Sequence, residues 1–249
     1  MALYMNGQEI SQSSGVPILG ATEPYIEEIY NSDGQLISAN MHGYDAIRSY
    51  MFSDCSNLAL TSLPSGITSI GKNAFQNCTN LALNSLPSGL TSIGSNAFSG
   101  CTNLALTSLP SGITSISSYT FYSCSNLALT SLPSGITSIG LGAFLNCSKL
   151  ALTSLPSGIT SIGISVFENC SNLALTSLPS GITSIGNNAF EKCTGLTSIT
   201  FTGTPTSIGN NAFSSCTNLT TINVPWANGA VANAPWGATN ATINYGYAG

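Results

Sequence analysis

Eight cysteines stand at positions 55, 78, 101, 124, 147, 170, 193 and 216, each 23 residues from the last. Three other files keep the same register. A leucine lies three residues after every cysteine, from Leu58 to Leu219; a phenylalanine lies three before, from Phe52 to Phe213; an isoleucine lies eight before, from Ile47 to Ile208. Apolar residues locked to one period over eight copies constrain the chain to coil once per repeat and to pile like side chains on like. One such coil cannot cover both of its faces, so neighbouring copies must stack.

Composition closes the other routes. Only 5% of the 249 residues are charged, against about 25% in ordinary globular chains. Disorder is excluded by 43% hydrophobic residues at fixed places. No apolar run approaches the roughly 20 residues of a membrane span. The formal charge of −5 is concentrated ahead of the first cysteine, in Glu9, Glu23, Glu27, Glu28, Asp33, Asp45 and Asp54, with Arg48 against them. From Cys55 onward the acids are Glu168 and Glu191 and the bases Lys72, Lys149 and Lys192. Nothing here neutralises a phosphate backbone or forms a polybasic membrane patch, so neither nucleic acid nor membrane insertion is expected. The first residues lack the basic and apolar regions of a standard signal peptide. The expectation is export by another route, departure inside a larger particle, or a trimmed chain.

Each coil can be read position by position. Leu58 to Leu63 is a short β segment with inward leucines, which Pro64 stops because it has no N–H to offer a ladder. Ser65-Gly66 makes a corner, and Ile67 to Ile70 is a second extended piece. After Gly71, Lys72 to Asn77 is expected to form one helical or 3-10 turn, with Ala74 small enough for coils to approach and Phe75 plugging the centre. Eight coils at a strand spacing of ~4.8 Å make a rod of about 40 Å. The last two coils place Ile199 and Ile222 six residues after cysteine, where earlier copies place a leucine five after, so the strand phase should change at residue 196.

The pattern Cys-x₂-Leu-x₂-Ile-x-Val-Pro with Ile-Gly-x₂-Ala-Phe-x₂-Cys resembles the bacterial surface-antigen, or treponemal-type, family of leucine-rich repeats over roughly residues 44–225. The resemblance implies a right-handed extracellular solenoid used in adhesion and partner binding. The shifted leucine, Leu60 and its equivalents, departs from the family pattern. Residues 1–20 and the Trp226/Trp236 segment resemble sequences flanking such repeats in gut bacteria and their tailed phages, which implies a phage or prophage member.

Candidate sites are few. The exposed strand file Thr61, Asn84, Thr107, Thr130, Thr153 and Thr176, with Ser62 and its equivalents beside it, reads as a hydroxyl-rich face for a glycan or protein. It reads more readily as the simplest polar surface of a duplicated repeat. A Thr/Ser lattice also admits ice binding, though duplication accounts for it. Stacked cysteines would have parallel Cβ directions that disfavour disulfides, and with no Cys-x-x-Cys pair and one histidine, His42, no metal site is expected. His42 has no assignable nucleophile, and adjacent Glu27 and Glu28 would face opposite ways on a strand. Variation between copies gathers in the pair after the glycine turn (Lys72-Asn73, Ser118-Tyr119, Leu141-Gly142, Ile164-Ser165) and in the pair before each cysteine. That edge is either a selected contact surface or a tolerant one. The triplets at Asn77, Asn146 and Asn169 span a core cysteine, which argues against glycosylation.

The reading is a leucine-rich-repeat solenoid of eight 23-residue coils, parallel β-ladders with short helical or 3-10 turns. An N-terminal arm and capping hairpin occupies 1–43, the solenoid 44–225 and a C-terminal cap 226–249. The hairpin is Tyr25 to Ile37 over the Asp33-Gly34 turn, residues 1–20 trail as an arm, and the tryptophans seal the far end. The function expected is non-enzymatic recognition or adhesion at a cell or virion surface, without cofactors, toward a protein or glycan ligand. Structural decoration of a virion is the rival, and homo-oligomerisation is left open.

Overall fold

The computed structural model describes the backbone of residues 2–5 and 8–10 and all of residues 24–248. A four-stranded antiparallel sheet opens the chain: β1 (Ala2–Met5), β2 (Gln8–Ile10), β3 (Tyr25–Tyr30) and β4 (Leu36–His42), in the order β2-β1-β3-β4. The hairpin at Asp33-Gly34 is as expected: Gly34 sits at φ 74 and donates to the Asn31 carbonyl. Part of the segment expected to trail as an arm instead adds β1 and β2 to this sheet; residues 11–23 lie outside the described residues.

From there the chain winds into a parallel solenoid whose coils have three sides. On one side lie two-residue strands made by an Ala-Ile pair in the first coil and Ser-Ile pairs after it: β5 (Ala46–Ile47), β6 (Ser69–Ile70), β7 (Ser92–Ile93), β8 (Ser115–Ile116), β9 (Ser138–Ile139) and β10 (Ser161–Ile162). A leucine-side strand, β11 (Ser177–Leu178), then appears, followed by β12 (Ser184–Ile185), β13 (Ser198–Phe201), β14 (Ser207–Ile208), β15 (Thr221–Val224) and β16 (Thr242–Tyr245). The Ser-Ile ladder keeps strict 23-residue register, as in Ile47 opposite Ile70 and Ile70 opposite Ile93.

The leucine side is less regular than expected. Leu58, Leu81 and Leu104 do point inward and are fully buried, but before Ser177 this side forms no regular ladder. Single bonds such as Ala82 N–H to the Leu60 carbonyl hold it. In Leu-Ala-Leu-Thr-Ser-Leu, two exposed or half-exposed residues in a row interrupt the in-out alternation a strand needs. The phase change at residue 196 is real: Ile199 pairs beside the exposed Thr176 file yet is buried, and Ile-Thr-Phe then alternates in, out, in. With that alternation restored, β13, β15 and β16 form a full parallel sheet.

The third side corrects the expected helical turn. No helix occurs among the described residues. Here alternate N–H groups run along the solenoid axis instead of closing a helix: Tyr50, Phe52 and Asp54 donate to the carbonyls of Lys72, Ala74 and Gln76 in the next coil, at 2.9, 2.8 and 2.7 Å. Left-handed residues one and five before each cysteine prevent helical continuation, as at Asn73 (φ 56) and Asn77 (φ 58). Asparagine supplies many of them, since it tolerates this region better than most residues.

A second correction concerns the count. The segment after 225 winds a ninth turn. Its strand β16 pairs with β15, and the Trp236 carbonyl accepts from Phe213 N–H as the Ala212 carbonyl accepts from Phe190 N–H. Backbone pairing thus continues, with the strand offset shortened from 23 residues to 21, where the Cys/Phe pattern has vanished, which is why counting cysteines undercounts the turns. Trp236 is fully buried, and Phe201 meets Trp226 edge-on with centroids 5.2 Å apart. One apolar core runs from Ala39 to Ala238.

Phenylalanines form the spine of that core. Consecutive rings from Phe52 to Phe213 are nearly parallel, with centroids 5.2 to 5.7 Å apart. That spacing exceeds the ~3.5–4.0 Å of closest carbon–carbon contact and lies within the ~4.5–7 Å range of favourable aromatic pairs. The alanine file decides how closely coils approach. Where it holds Ala74, Ala97, Ala143, Ala189 or Ala212, the glycine three residues earlier lies against the previous coil's backbone and donates to an isoleucine carbonyl at 2.8 Å. The two copies that carry a β-branched residue there, Thr120 and Val166, are those at which the Ser-Ile ladder breaks, between β7 and β8 and between β9 and β10. At the first break Ser117 replaces the glycine, and its hydroxyl takes over the bond to the Ile93 carbonyl, at 2.8 Å.

Candidate functional site

Thr61, Asn84, Thr107, Thr130, Thr153 and Thr176 are all exposed, in one file on the leucine side of six successive coils. The leucines two places on (Leu63 and its equivalents) and three places earlier (Leu58 and its equivalents) turn into the core and hold the file outward. A second threonine file makes an instructive contrast. On the Ser-Ile side, Thr68, Thr91, Thr183 and Thr206 each donate Oγ1–H to a carbonyl one coil earlier, at 3.1, 3.2, 3.0 and 2.9 Å. The hydroxyls of the Thr61 file have no such bond among the described residues, so both donor and acceptor capacity face solvent.

Shallow clefts flank this file. One of about 440 Å³ opens where β4 parts from the first coil, lined by Asn40, His42, Thr61, Ser62, Leu63 and Pro64 among others. Two of about 150 and 140 Å³ recur between later coils at the Ser-Leu-Pro-Ser corner, around Leu155 and Leu109. None of the three is lined by a carboxylate or an ammonium; the two smaller ones set hydroxyls around an apolar floor, and the first adds the Asn40 amide and the His42 imidazole.

The first cleft brings His42 near hydroxyls, which sequence spacing alone did not show. His42 stacks on Tyr25 with centroids 4.5 Å apart, and its Nε2 lies 3.8 Å from Glu27, which also accepts from Asn40 Nδ2 at 3.1 Å. Among the described residues no hydroxyl hydrogen-bonds to His42, so the nucleophile–base contact of acyl-transfer catalysis is not formed. Glu27 and Glu28 are neighbours on β3, opposite Asn40 and Ala39, and their side chains project to opposite faces of the sheet.

All eight cysteines are free thiols, and Cys78 to Cys216 are buried. Each of these seven donates Sγ–H to the carbonyl of the phenylalanine 26 residues earlier, at 2.9 to 3.1 Å. Burial pushes their thiol pKa up, to about 12 at Cys78 and at Cys216. A raised folded-state value stabilises the fold below the ordinary thiol range, and that stability is lost as pH climbs above it. Near pH 8 a thiol reagent should modify half-exposed Cys55 first, with the other seven reacting only on unfolding; rapid native labelling of all eight would refute the buried column. Among the described residues no cluster of three or more His, Cys, Asp or Glu comes together to hold a metal.

The Asn77, Asn146 and Asn169 amides are engaged in a column: Asn77 donates to Asp54 at 2.8 Å, Asn146 to Ser123 at 3.3 Å and Asn169 to Asn146 at 2.8 Å. The positions that vary between copies fall on the third side. There the structure gathers residues that the sequence presents about one repeat apart: Tyr122, Leu141 and Ile164 are exposed, and the Tyr119 ring lies over the Cα of Gly142.

A stacked parallel solenoid with a leucine and a phenylalanine file in every coil defines the leucine-rich-repeat class. The chain matches the BspA-type leucine-rich-repeat region over residues 45–174 and 143–233, and it belongs to that family. It is similar in structure to a leucine-rich cell surface protein of Faecalibacterium prausnitzii A2-165, with 32% identity over 76% of this chain and a TM-score of 0.53. The chain spans 59% of that protein's length. It is also similar to a leucine-rich-repeat protein of T. pallidum, with 25% identity, 78% of this chain and 87% of that one covered, and a TM-score of 0.52. Among curated protein sequences none matches.

Proposed function

We infer that this chain is a non-enzymatic recognition scaffold, displayed at a bacterial cell surface, that binds an uncharged glycan or protein surface through the Thr61 file. The observation that carries the reading is the contrast between the two threonine files: on the Ser-Ile side Thr68, Thr91, Thr183 and Thr206, four of seven, bond to the coil before, whereas none of the Thr61 file does among the described residues. The two clefts around Leu109 and Leu155, beside the presented file and without any ionisable group, fit a neutral ligand. Membership of the BspA-type family and likeness to a protein described as a cell surface protein support the location. No observation in the fold favours virion decoration over this reading.

The test is an array of neutral oligosaccharides and immobilised extracellular-matrix proteins probed with the purified chain, then with Thr107→Asp/Thr130→Asp/Thr153→Asp. These positions are exposed, so the triple variant should fold normally while losing at least about tenfold in affinity. Binding unchanged by the substitutions, or no binding on any array, would overturn the assignment.

A further inference from the structure

We propose that the cleft between β4 and the first coil is a pocket for a single neutral sugar ring. Its size has a local cause. Ile37 takes the place that Leu60, Leu83 and Leu106 hold in later coils: its carbonyl accepts from Ala59 N–H at 2.9 Å, as theirs accept from the alanine 22 residues on. At this same residue β4 slips by one against β3, with Ile29 opposite Ser38 and Tyr30 opposite Leu36. Such a bulge bends its strand, and β4 turns away from the solenoid as soon as the shared bond is made. The gap measures about 440 Å³, against about 150 and 140 Å³ for the clefts between later coils. It leaves Leu63 half-buried, whereas Leu109, Leu132, Leu155 and Leu178 in the same file are buried.

Shape and chemistry decide what enters. Thr68 N–H closes the gap again at the Asp45 carbonyl, 2.7 Å, so the cleft is a slot pinned at both ends. A peptide strand cannot run through it, whereas a compact ring fits. β3 bonds to alternate residues of β4; the other N–H and C=O groups of residues 38–42 turn toward the first coil, which bonds to none of them among the described residues. Asn40 Nδ2 is committed to the Glu27 carboxylate, which can only accept, so the Asn40 carbonyl oxygen is left as an acceptor. The His42 ring is held parallel to Tyr25, with 13° between their planes. Across the slot Thr61 and Ser62 offer hydroxyls, and Leu63 and Pro64 a C–H surface. A pyranose matches this combination: adjacent hydroxyls that each donate and accept, around a face of C–H bonds. Glu27 beside Asn40 and Asp45 at the pinned end set the field against an anionic sugar, and Arg48 lies over the Tyr44 ring, outside the lining. The pocket deepens the reading of a neutral glycan ligand and rests on it, but of the tested file it uses none of Thr107, Thr130 and Thr153.

Ligand-observed NMR titration of the full chain with the methyl glycosides of glucose, galactose, mannose and N-acetylglucosamine is the test. At least one should bind saturably, with a Kd of about 1 mM or tighter. The uronate of the bound sugar should bind at least about threefold more weakly. Thr61→Val and Asn40→Leu, both at exposed positions, should leave the thermal melt unchanged and each weaken binding about tenfold or more. Thr130→Val, the same change outside the cleft, should leave binding within about twofold. No saturable binding by any of the four, a uronate that binds more tightly, or binding indifferent to both cleft variants overturns the proposal. So does binding lost in Thr107→Asp/Thr130→Asp/Thr153→Asp and kept in Asn40→Leu, which places the ring on the file. Array binding that survives the triple variant overturns the file and not the pocket, provided that the methyl glycoside still responds to Asn40→Leu.

Discussion

Phe121→Ala is expected to lower the free energy of unfolding by about 3–5 kcal/mol, the range for emptying a buried aromatic site. Phe121 is fully buried at mid-rod, with Phe98 at 5.7 Å on one side and Phe144 at 5.5 Å on the other. Truncation therefore removes the ring and a face of contact for both neighbours. The surrounding coils cannot collapse into the space, because backbone bonds such as Phe121 N–H to the Ala143 carbonyl, 2.9 Å, fix their spacing. Solenoid stability is close to a sum of coil terms and nearest-neighbour interfaces, so position along the rod should matter. Phe52, at the end of the spine, has one ring neighbour, Phe75 at 5.3 Å, and Phe52→Ala should cost less. Urea unfolding followed by circular dichroism measures both. Equal losses at the two positions, or a loss below about 1 kcal/mol at Phe121, would show that the rings do not form one continuous column.

The second large effect comes from a methyl group. In Gly140→Ala the added Cβ would stand 2.5 Å from Ser118 N and 2.8 Å from Ser117 C, backbone atoms that cannot turn aside. Relief requires the coils to part, breaking the 2.8 Å bond from Gly140 N–H to the Ile116 carbonyl and the pairing of β8 with β9. A cost of about 3 kcal/mol or more is expected, from overpacking together with lost hydrogen bonding. Gly163 occupies the same place one coil later, but Val166 has already pushed the coils apart, and its Cβ would find nothing nearer than Val166 Cγ2 at 3.5 Å. Gly163→Ala should be neutral or stabilise by about 0.4–1 kcal/mol through the unfolded chain. Thermal melts of the two variants form a matched pair. Similar losses in both would refute the claim that the alanine file sets the coil spacing.

That file shows how far the sequence could be read. Ala74 was legible as a small residue admitting close approach, since its neighbours Gly71 and Phe75 recur with it. The breaks at Thr120 and Val166 were not legible, because they depend on whether a branched Cβ finds room against the coil before. The third side misled for a related reason. Four polar residues around a buried Ala-Phe pair are compatible with a helical turn, but N–H groups that bond to the next coil are unavailable within their own. Only the recurrence of asparagine one and five residues before cysteine hinted at left-handed backbone. The Thr61 file was visible as an exposed polar file, while its difference from the Thr68 file was not, because both look alike in the sequence and differ only in what their hydroxyls reach.

A 23-residue period of Cys, Leu, Phe and Ile by itself determined that the chain coils, that these residues fill one core, and that the thiols stack unpaired. Periodicity is a one-dimensional property, and burial of equal side chains at equal intervals follows from it directly. Only the tertiary structure decided which sides carry ladders, how many turns there are, and which exposed residues become neighbours. Those depend on backbone bonds between coils and on a few ångströms of approach, which the identity of a residue 23 places away settles in space and not along the chain.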